Sequence, residues 1–156
     1  MLFDVHSPDG FLGHCKVAAL IINELGLNPH TKHHIRGAVR EATLKVTKCK
    51  GTNKFSIATY ASILALEKRT NGCLDDLVLE HAVPVSLINE KVLGLSKPTE
   101  LDIANIIYEW TVLTVITKQE HEALKNKGLP NRMPANWDNT DKFARYKFCD
   151  IEFRAL

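Results

Sequence analysis

The junction at Thr117 constrains this chain more than any other stretch. The β-branched apolar run Thr111-Val112-Leu113-Thr114-Val115-Ile116 leads directly into Thr117-Lys118-Gln119-Glu120-His121-Glu122-Ala123-Leu124. The run reads as a strand. Thr117 can cap the free N–H groups of a helix while Glu120 reaches back to the N–H of the cap, a reciprocal capping box. Gly128 and Pro130 then mark the stop. An earlier apolar run, Leu77-Val78-Leu79-Glu80-His81-Ala82-Val83-Pro84, also reads as a strand, interrupted by a carboxylate and an imidazole. The expected order is therefore strand, long insert over residues 86–110, strand, short helix.

With Glu80-His81 on the first strand, Pro84 beyond it and His121 on the helix, this order resembles the ββα-metal core of HNH-type endonucleases. The resemblance implies that Glu80 and His121 hold one divalent metal ion, Mg²⁺ or Mn²⁺ first, with Zn²⁺ or Ni²⁺ as alternatives. It implies that His81 is the general base. The chemistry is consistent with this: a hard cation takes a carboxylate oxygen and an imidazole nitrogen and keeps positions for water and a phosphate oxygen. A neutral imidazole can accept the proton of the attacking water. Where the family's middle Asn commonly stands, this chain has Val112, and the paired Cys-x-x-Cys knuckles of many relatives are absent. A core that keeps the shape without the cleavage is thus the alternative. Successive strand residues point to opposite faces, so Glu80 and His81 can serve one metal only if the backbone turns near Pro84.

At 156 residues, with 45% hydrophobic and 24% charged residues, the chain has ordinary globular composition, and a single domain over 1–156 is expected. No apolar run approaches the roughly 20 residues of a membrane span. The start, Met1-Leu2-Phe3-Asp4, has no basic region ahead of an apolar one. Cys15, Cys49, Cys73 and Cys149 are scattered, so the expectation is free thiols in a cytoplasmic protein. Phosphate loops, dinucleotide fingerprints and nucleophile elbows are missing.

The net charge of +2 is unevenly spread. Residues 32–54 hold Lys32, Arg36, Arg40, Lys45, Lys48, Lys50 and Lys54 against Glu41 alone, a net of +6, whereas residues 55–110 carry −4. Lys32, Arg36, Arg40, Lys45 and Lys48 are the candidate contacts to nucleic acid, DNA first, with a solvated helix face as the plain alternative. A protein partner is also compatible with this surface. The sequence does not fix the oligomeric state.

The first part of the chain, 1–72, reads as a helical portion carrying that basic face. Helices are expected over about 11–25, 32–46 and 57–68, the last from the spacing of Ile57, Tyr60, Ala61, Leu64 and Ala65. His30 and His34 have helical spacing, but Pro29 and Thr31 put His30 ahead of the helix, and no carboxylates accompany the pair. The core spans 73–128, its insert containing one helix opened by Thr99 and Asp102 and carrying Asn105, a candidate replacement for the absent family Asn. The remainder, 129–156, reads as an ordered tail with a short helix and an extended end. Within it Arg132 and Arg145 could clamp a scissile phosphate, or pair with Asp138, Asp141 or Asp150. The fold class is α+β: a helical portion joined to an HNH-like core. Two functions follow, a metal-dependent nuclease or a non-catalytic scaffold that binds nucleic acid or protein.

Overall fold

A computed structural model describes residues 10–46 and 53–156. The protein is α+β, and its contacts divide it into two compact units. The first comprises residues 10–46 and 85–111, the second residues 53–84 and 112–156. The insert therefore belongs with the N-terminal helices, and the segment before the first expected strand belongs with the sheet. This cuts the chain differently from the 1–72, 73–128 and 129–156 portions read from sequence.

The first unit is helical. Helix α1 (Phe11–Leu20) continues through a π-helical turn (Ile21–Leu25), and Gly26 at φ +65° ends it. Helix α2 (Pro29–Lys45) starts earlier than expected. The Asn28 side chain accepts from the N–H groups of His30 and Thr31, both at 3.0 Å, and the Thr31 hydroxyl accepts from the Asn28 N–H at 2.8 Å. Proline at the first position is pre-set for a helix and needs no partner there. His30 therefore lies inside the first turn. The insert holds two helices where one was expected, α5 (Val85–Leu93) and α6 (Glu100–Trp110). Pro84 and Gly94 flank α5, the ordinary punctuation of a helix. Helix α1 packs on α2 and α6, and α5 packs on α2 and α6. Ile35, Val39, Ile88, Val92, Ile103 and Ile107 are fully buried.

The second unit is built on a four-stranded mixed sheet, in the order β2 (Leu77–His81), β3 (Leu113–Thr117), β1 (Tyr60–Ser62) and β4 (Phe153–Ala155). Strands β2 (Leu77–His81) and β3 (Leu113–Thr117) pair antiparallel, and helix α7 (Lys118–Asn126) follows β3 directly. The expected third helix over 57–68 is a correction. That segment forms a short α3 (Lys54–Ile57), strand β1 (Tyr60–Ser62) and α4 (Ile63–Thr70). Three residues of strand between two short helices imitate a helical repeat, because apolar side chains recur at similar spacing in both. Ser62 makes the switch by accepting from the Ala65 N–H and capping α4. Strand β1 lies parallel to β3 and antiparallel to β4 (Phe153–Ala155), which follows the short helix α8 (Ala144–Phe148). The short helix and extended end expected of the tail are both present.

The two faces of the sheet carry different clusters. Leu77, Leu79, Ala61, Leu113 and Val115 pack with Phe55, Ala58 and Ala65 on one face. Val78, Tyr60, Ile116 and Phe153 pack with Leu124, Phe143, Tyr146 and Ile151 on the other. Phe143 stacks on Phe153 at 4.1 Å and meets Tyr60 edge-on at 4.8 Å, which ties the tail to the sheet.

The capping box forms as expected. Thr117 Oγ1 accepts from the Glu120 N–H, and Glu120 Oε2 accepts from the N–H and hydroxyl of Thr117 and from the hydroxyl of Ser62, at 2.7, 2.9 and 2.7 Å. Glu120 is buried, so each of those donors depends on it. Glu120→Ala is expected to destabilise the protein by about 2–3 kcal/mol, since it removes a cap and orphans a buried hydroxyl. Urea unfolding measures this, and a loss under about 0.5 kcal/mol would mean that solvent replaces the carboxylate. At the other end of α7, Gly128 adopts φ +71°, and the Leu129 N–H reaches back to the Leu124 carbonyl at 2.9 Å. No helix among the described residues is long and apolar enough to cross a membrane.

Candidate functional site

Strand alternation decides what Glu80 and His81 can share. Glu80 lies opposite Thr114, and His81 lies opposite Leu113. Cross-strand partners face the same side, so Glu80 and Thr114 share the face covered by α7 and α8. His81 falls on the Leu113 side. The Ala82 N–H still bonds the Val112 carbonyl at 2.8 Å, so the ladder continues past both residues without a turn between them.

His121 reaches Glu80 from α7. The capping box fixes the rotation of that helix by turning Glu120 inward to Ser62, and His121 follows one residue on. Its Nδ1 stands 3.5 Å from Glu80 Oε2, with the two side chains 30% and 17% exposed. The structure thus brings Glu80 and His121 together, and strand alternation sets His81 on the other face of β2.

The other oxygen of Glu80 is held by Arg145, whose side chain is fully buried. Arg145 Nη2 donates to Glu80 Oε1 at 2.7 Å and to the His81 carbonyl. Nε donates to the Ala82 carbonyl at 3.0 Å, and Nη1 to those of Leu129 and Pro130 at 2.7 and 3.2 Å. These bonds use all five donors of the guanidinium. Arg145 as a phosphate clamp is therefore corrected: it has no N–H left for a substrate, and it fastens the end of β2 to the segment after α7. Arg132 is exposed, and its Nε donates to the Gly128 carbonyl at 2.6 Å, bending the side chain over the helix end. Of the aspartates offered by the sequence, Asp141 pairs with Lys147 at 2.7 Å, and Asp138 accepts from the N–H groups of Thr140 and Asp141.

Three buried polar atoms on this face, His121 Nδ1, Thr114 Oγ1 and Tyr146 Oη, make no short hydrogen bond. Each such atom in a core costs about 1–3 kcal/mol if nothing polar meets it. The Tyr146 and Thr114 hydroxyls lie beside one another, close enough to pair, and burial, then the nearby Glu80 carboxylate, push the Tyr146 hydroxyl up. Sequence reasoning missed both residues as members of the site. Thr114 is an unremarked member of a β-branched run, and Tyr146 reads as an apolar anchor.

The separation of Glu80 Oε2 and His121 Nδ1 is informative. At 3.5 Å it exceeds an ordinary hydrogen bond. Two ligands bound at ~2.1 Å to one cation, at an angle of roughly 110°, stand this far apart. The separation is that of a His–Glu ion pair and is also one that two ligands of a single cation can span. Among the described residues, no group of three His, Cys, Asp or Glu side chains forms a larger cage, so the protein would supply two ligands. His30 and His34, now on one helix, are exposed and belong to no such group.

In the first unit, Arg36 and Arg40 are exposed on α2 with Lys32 half-buried one turn before them. Lys45 is exposed and its Nζ lies 3.0 Å from His14 Nε2. Lys48, with His6, Cys49 and Lys50, lies outside the described residues. Asn105 is exposed on α6. The Cys15 thiol is pushed up to about 12, chiefly by burial, which keeps it protonated and unreactive. No protein-family model matches the chain, and neither does any curated protein or solved structure.

Proposed function

We propose that this protein is a divalent-metal-dependent, HNH-like endonuclease that hydrolyses nucleic acid phosphodiesters, with DNA as the first substrate class. The approach of Glu80 and His121 carries this reading, because a carboxylate oxygen and an imidazole nitrogen 3.5 Å apart can be two ligands of one cation. A bound cation would polarise a phosphate oxygen and make water a stronger acid. Glu80 and His121 hold it, and Arg145 keeps Glu80 in place through Oε1. In this reading the resemblance makes His81 the group that would accept the proton of the attacking water, which requires its ring to reach round the end of β2 to the Glu80 side, and Arg132 would be the remaining arginine to meet the phosphate charge. Free thiols at Cys15, Cys73 and Cys149 are compatible with a cytoplasmic setting. The deciding experiment is metal-dependent nicking of supercoiled plasmid by the full chain and its His121 and His81 variants.

A second reading is favoured by one observation. His81 falls on the opposite face of β2 from Glu80, which suits a non-catalytic scaffold that binds nucleic acid or another protein. Both readings use the basic face of α2. The triple variant Lys32→Gln, Arg36→Gln, Arg40→Gln is expected to weaken DNA binding at all sequences and to reduce the slope of log K against log salt by up to about 3. Fluorescence anisotropy across a salt series measures this. An unchanged slope would show that α2 simply presents solvated charges.

A further inference from the structure

We infer that the outer edge of β4 is a self-association surface, to which a second copy of this chain adds its own β4 antiparallel, with Glu152 opposite the partner's Arg154. The backbone pairing decides which groups β4 leaves open. The Ile63 N–H bonds the Glu152 carbonyl and the Leu156 N–H bonds the Thr59 carbonyl, both on the register that sets Ala61 against Arg154. Hydrogen-bonded positions alternate along an antiparallel pair, so Glu152, Arg154 and Leu156 turn their main-chain groups to β1. Phe153 and Ala155 turn theirs outward. Among the described residues β4 is the last strand on that side of the sheet, and no hydrogen bond reaches those outward groups.

The opposite edge is built differently. On β2 the bond from the Ala82 N–H to the Val112 carbonyl sets the phase, so Leu77, Leu79 and His81 face outward. There Lys54 Nζ donates to the Leu77 carbonyl at 2.6 Å, and Arg145 Nη2 donates to the His81 carbonyl. Charged side chains seated on an edge take acceptors that an added strand would need. β4 has no such guard among the described residues, and an open hollow lined by Lys147, Asp150, Glu152 and Phe153 lies beside its start.

Charge identifies the occupant. Glu152 and Arg154 are exposed, lie on one face of the sheet, and enter no ion pair among the described residues. A copy related by a two-fold axis runs antiparallel to β4, and two registers match Phe153 with another open position. One sets Arg154 against the partner's Arg154, which like charge disfavours. The other sets Phe153 against the partner's Phe153, each giving and taking a main-chain bond. It places Glu152 against the partner's Arg154 twice over, at the positions where cross-strand side chains come closest. The half-buried ring of Phe153 then meets its own copy at the centre.

The test is sedimentation equilibrium of the full chain, Arg154→Glu, Glu152→Arg, the double variant, and an equimolar mixture of the two single variants. The wild type is expected to dimerise at on the order of 100 µM, because a short strand edge makes a small interface. Each single variant sets like charges together twice and should weaken dimerisation by about tenfold or more. The double variant exchanges the signs and should dimerise as the wild type does. The mixture should give a dimer that neither single variant forms alone at that concentration. Both positions are exposed, so unfolding midpoints should stay level, and if one single variant fails to fold, the other and the double variant decide. A wild type still monomeric at several times that concentration overturns the inference. So does a dimer that the single variants leave unchanged, or a loss that the double variant does not reverse. None of these outcomes bears on the cation reading, which uses other residues.

Discussion

Replacing Arg145 by Met is expected to destabilise the folded protein by about 3–5 kcal/mol, the usual consequence of removing one partner from a buried ion pair. The guanidinium is fully buried, and its five donors serve Glu80 and four backbone carbonyls, those of His81, Ala82, Leu129 and Pro130. Met fills much of the volume but returns none of these bonds. Glu80 would then face the interior with its Oε1 unpaired, and the segment after α7 would lose its anchor to β2. Urea unfolding measures the loss. The double variant Arg145→Met with Glu80→Gln should recover part of it, because it removes the stranded carboxylate. A change under about 1 kcal/mol in the single variant would mean that water reaches the carbonyls and that Arg145 holds nothing together.

This arginine also marks where sequence reasoning stops. Local rules were legible wherever the partners lie within a few residues. Thr117 and Glu120 state the start of α7, and Gly128 states its end, because cap and helix are neighbours in the chain. The two strands flanking the long insert were legible from their apolar and, in β3, β-branched runs. Strand β1 was not, since three residues give no period and its partners, Thr114 and Arg154, are remote in sequence. Helix α5 had only its flanking Pro84 and Gly94 to announce it. Arg145 looked like any arginine in a polar tail, because every group it bonds lies at least fifteen residues away. The resemblance expects Glu80, His81 and His121 around one cleft; Glu80 and His121 approach one another, whereas strand alternation, which the pairing beyond Ala82 preserves, sets His81 on the other face of β2.

The expected separation of the two functions is a difference of two histidine variants. His121→Ala removes one of two protein ligands, so metal-dependent nicking should fall to background with the metal affinity. His81→Ala leaves Glu80, His121 and the α2 face intact, so a nuclease should keep its metal and its DNA while losing about 10²–10⁴ in rate, the worth of a general base. Nicking of plasmid with Mg²⁺, Mn²⁺, Ni²⁺ or Zn²⁺, alongside thermal unfolding of each variant, reads all of this. Unfolding matters because His81 is half-buried on a core strand and its carbonyl is one of the acceptors of Arg145. A parent that nicks while His81→Ala nicks equally fast would move the base elsewhere, which the opposite-face geometry of β2 makes a pointed test. A parent that binds DNA through α2 but cuts with none of the four ions is the scaffold. In that case the Arg145–Glu80–His121 row is a structural tie, and Val112, standing where the resemblance calls for an amide, is the first position to replace with Asn.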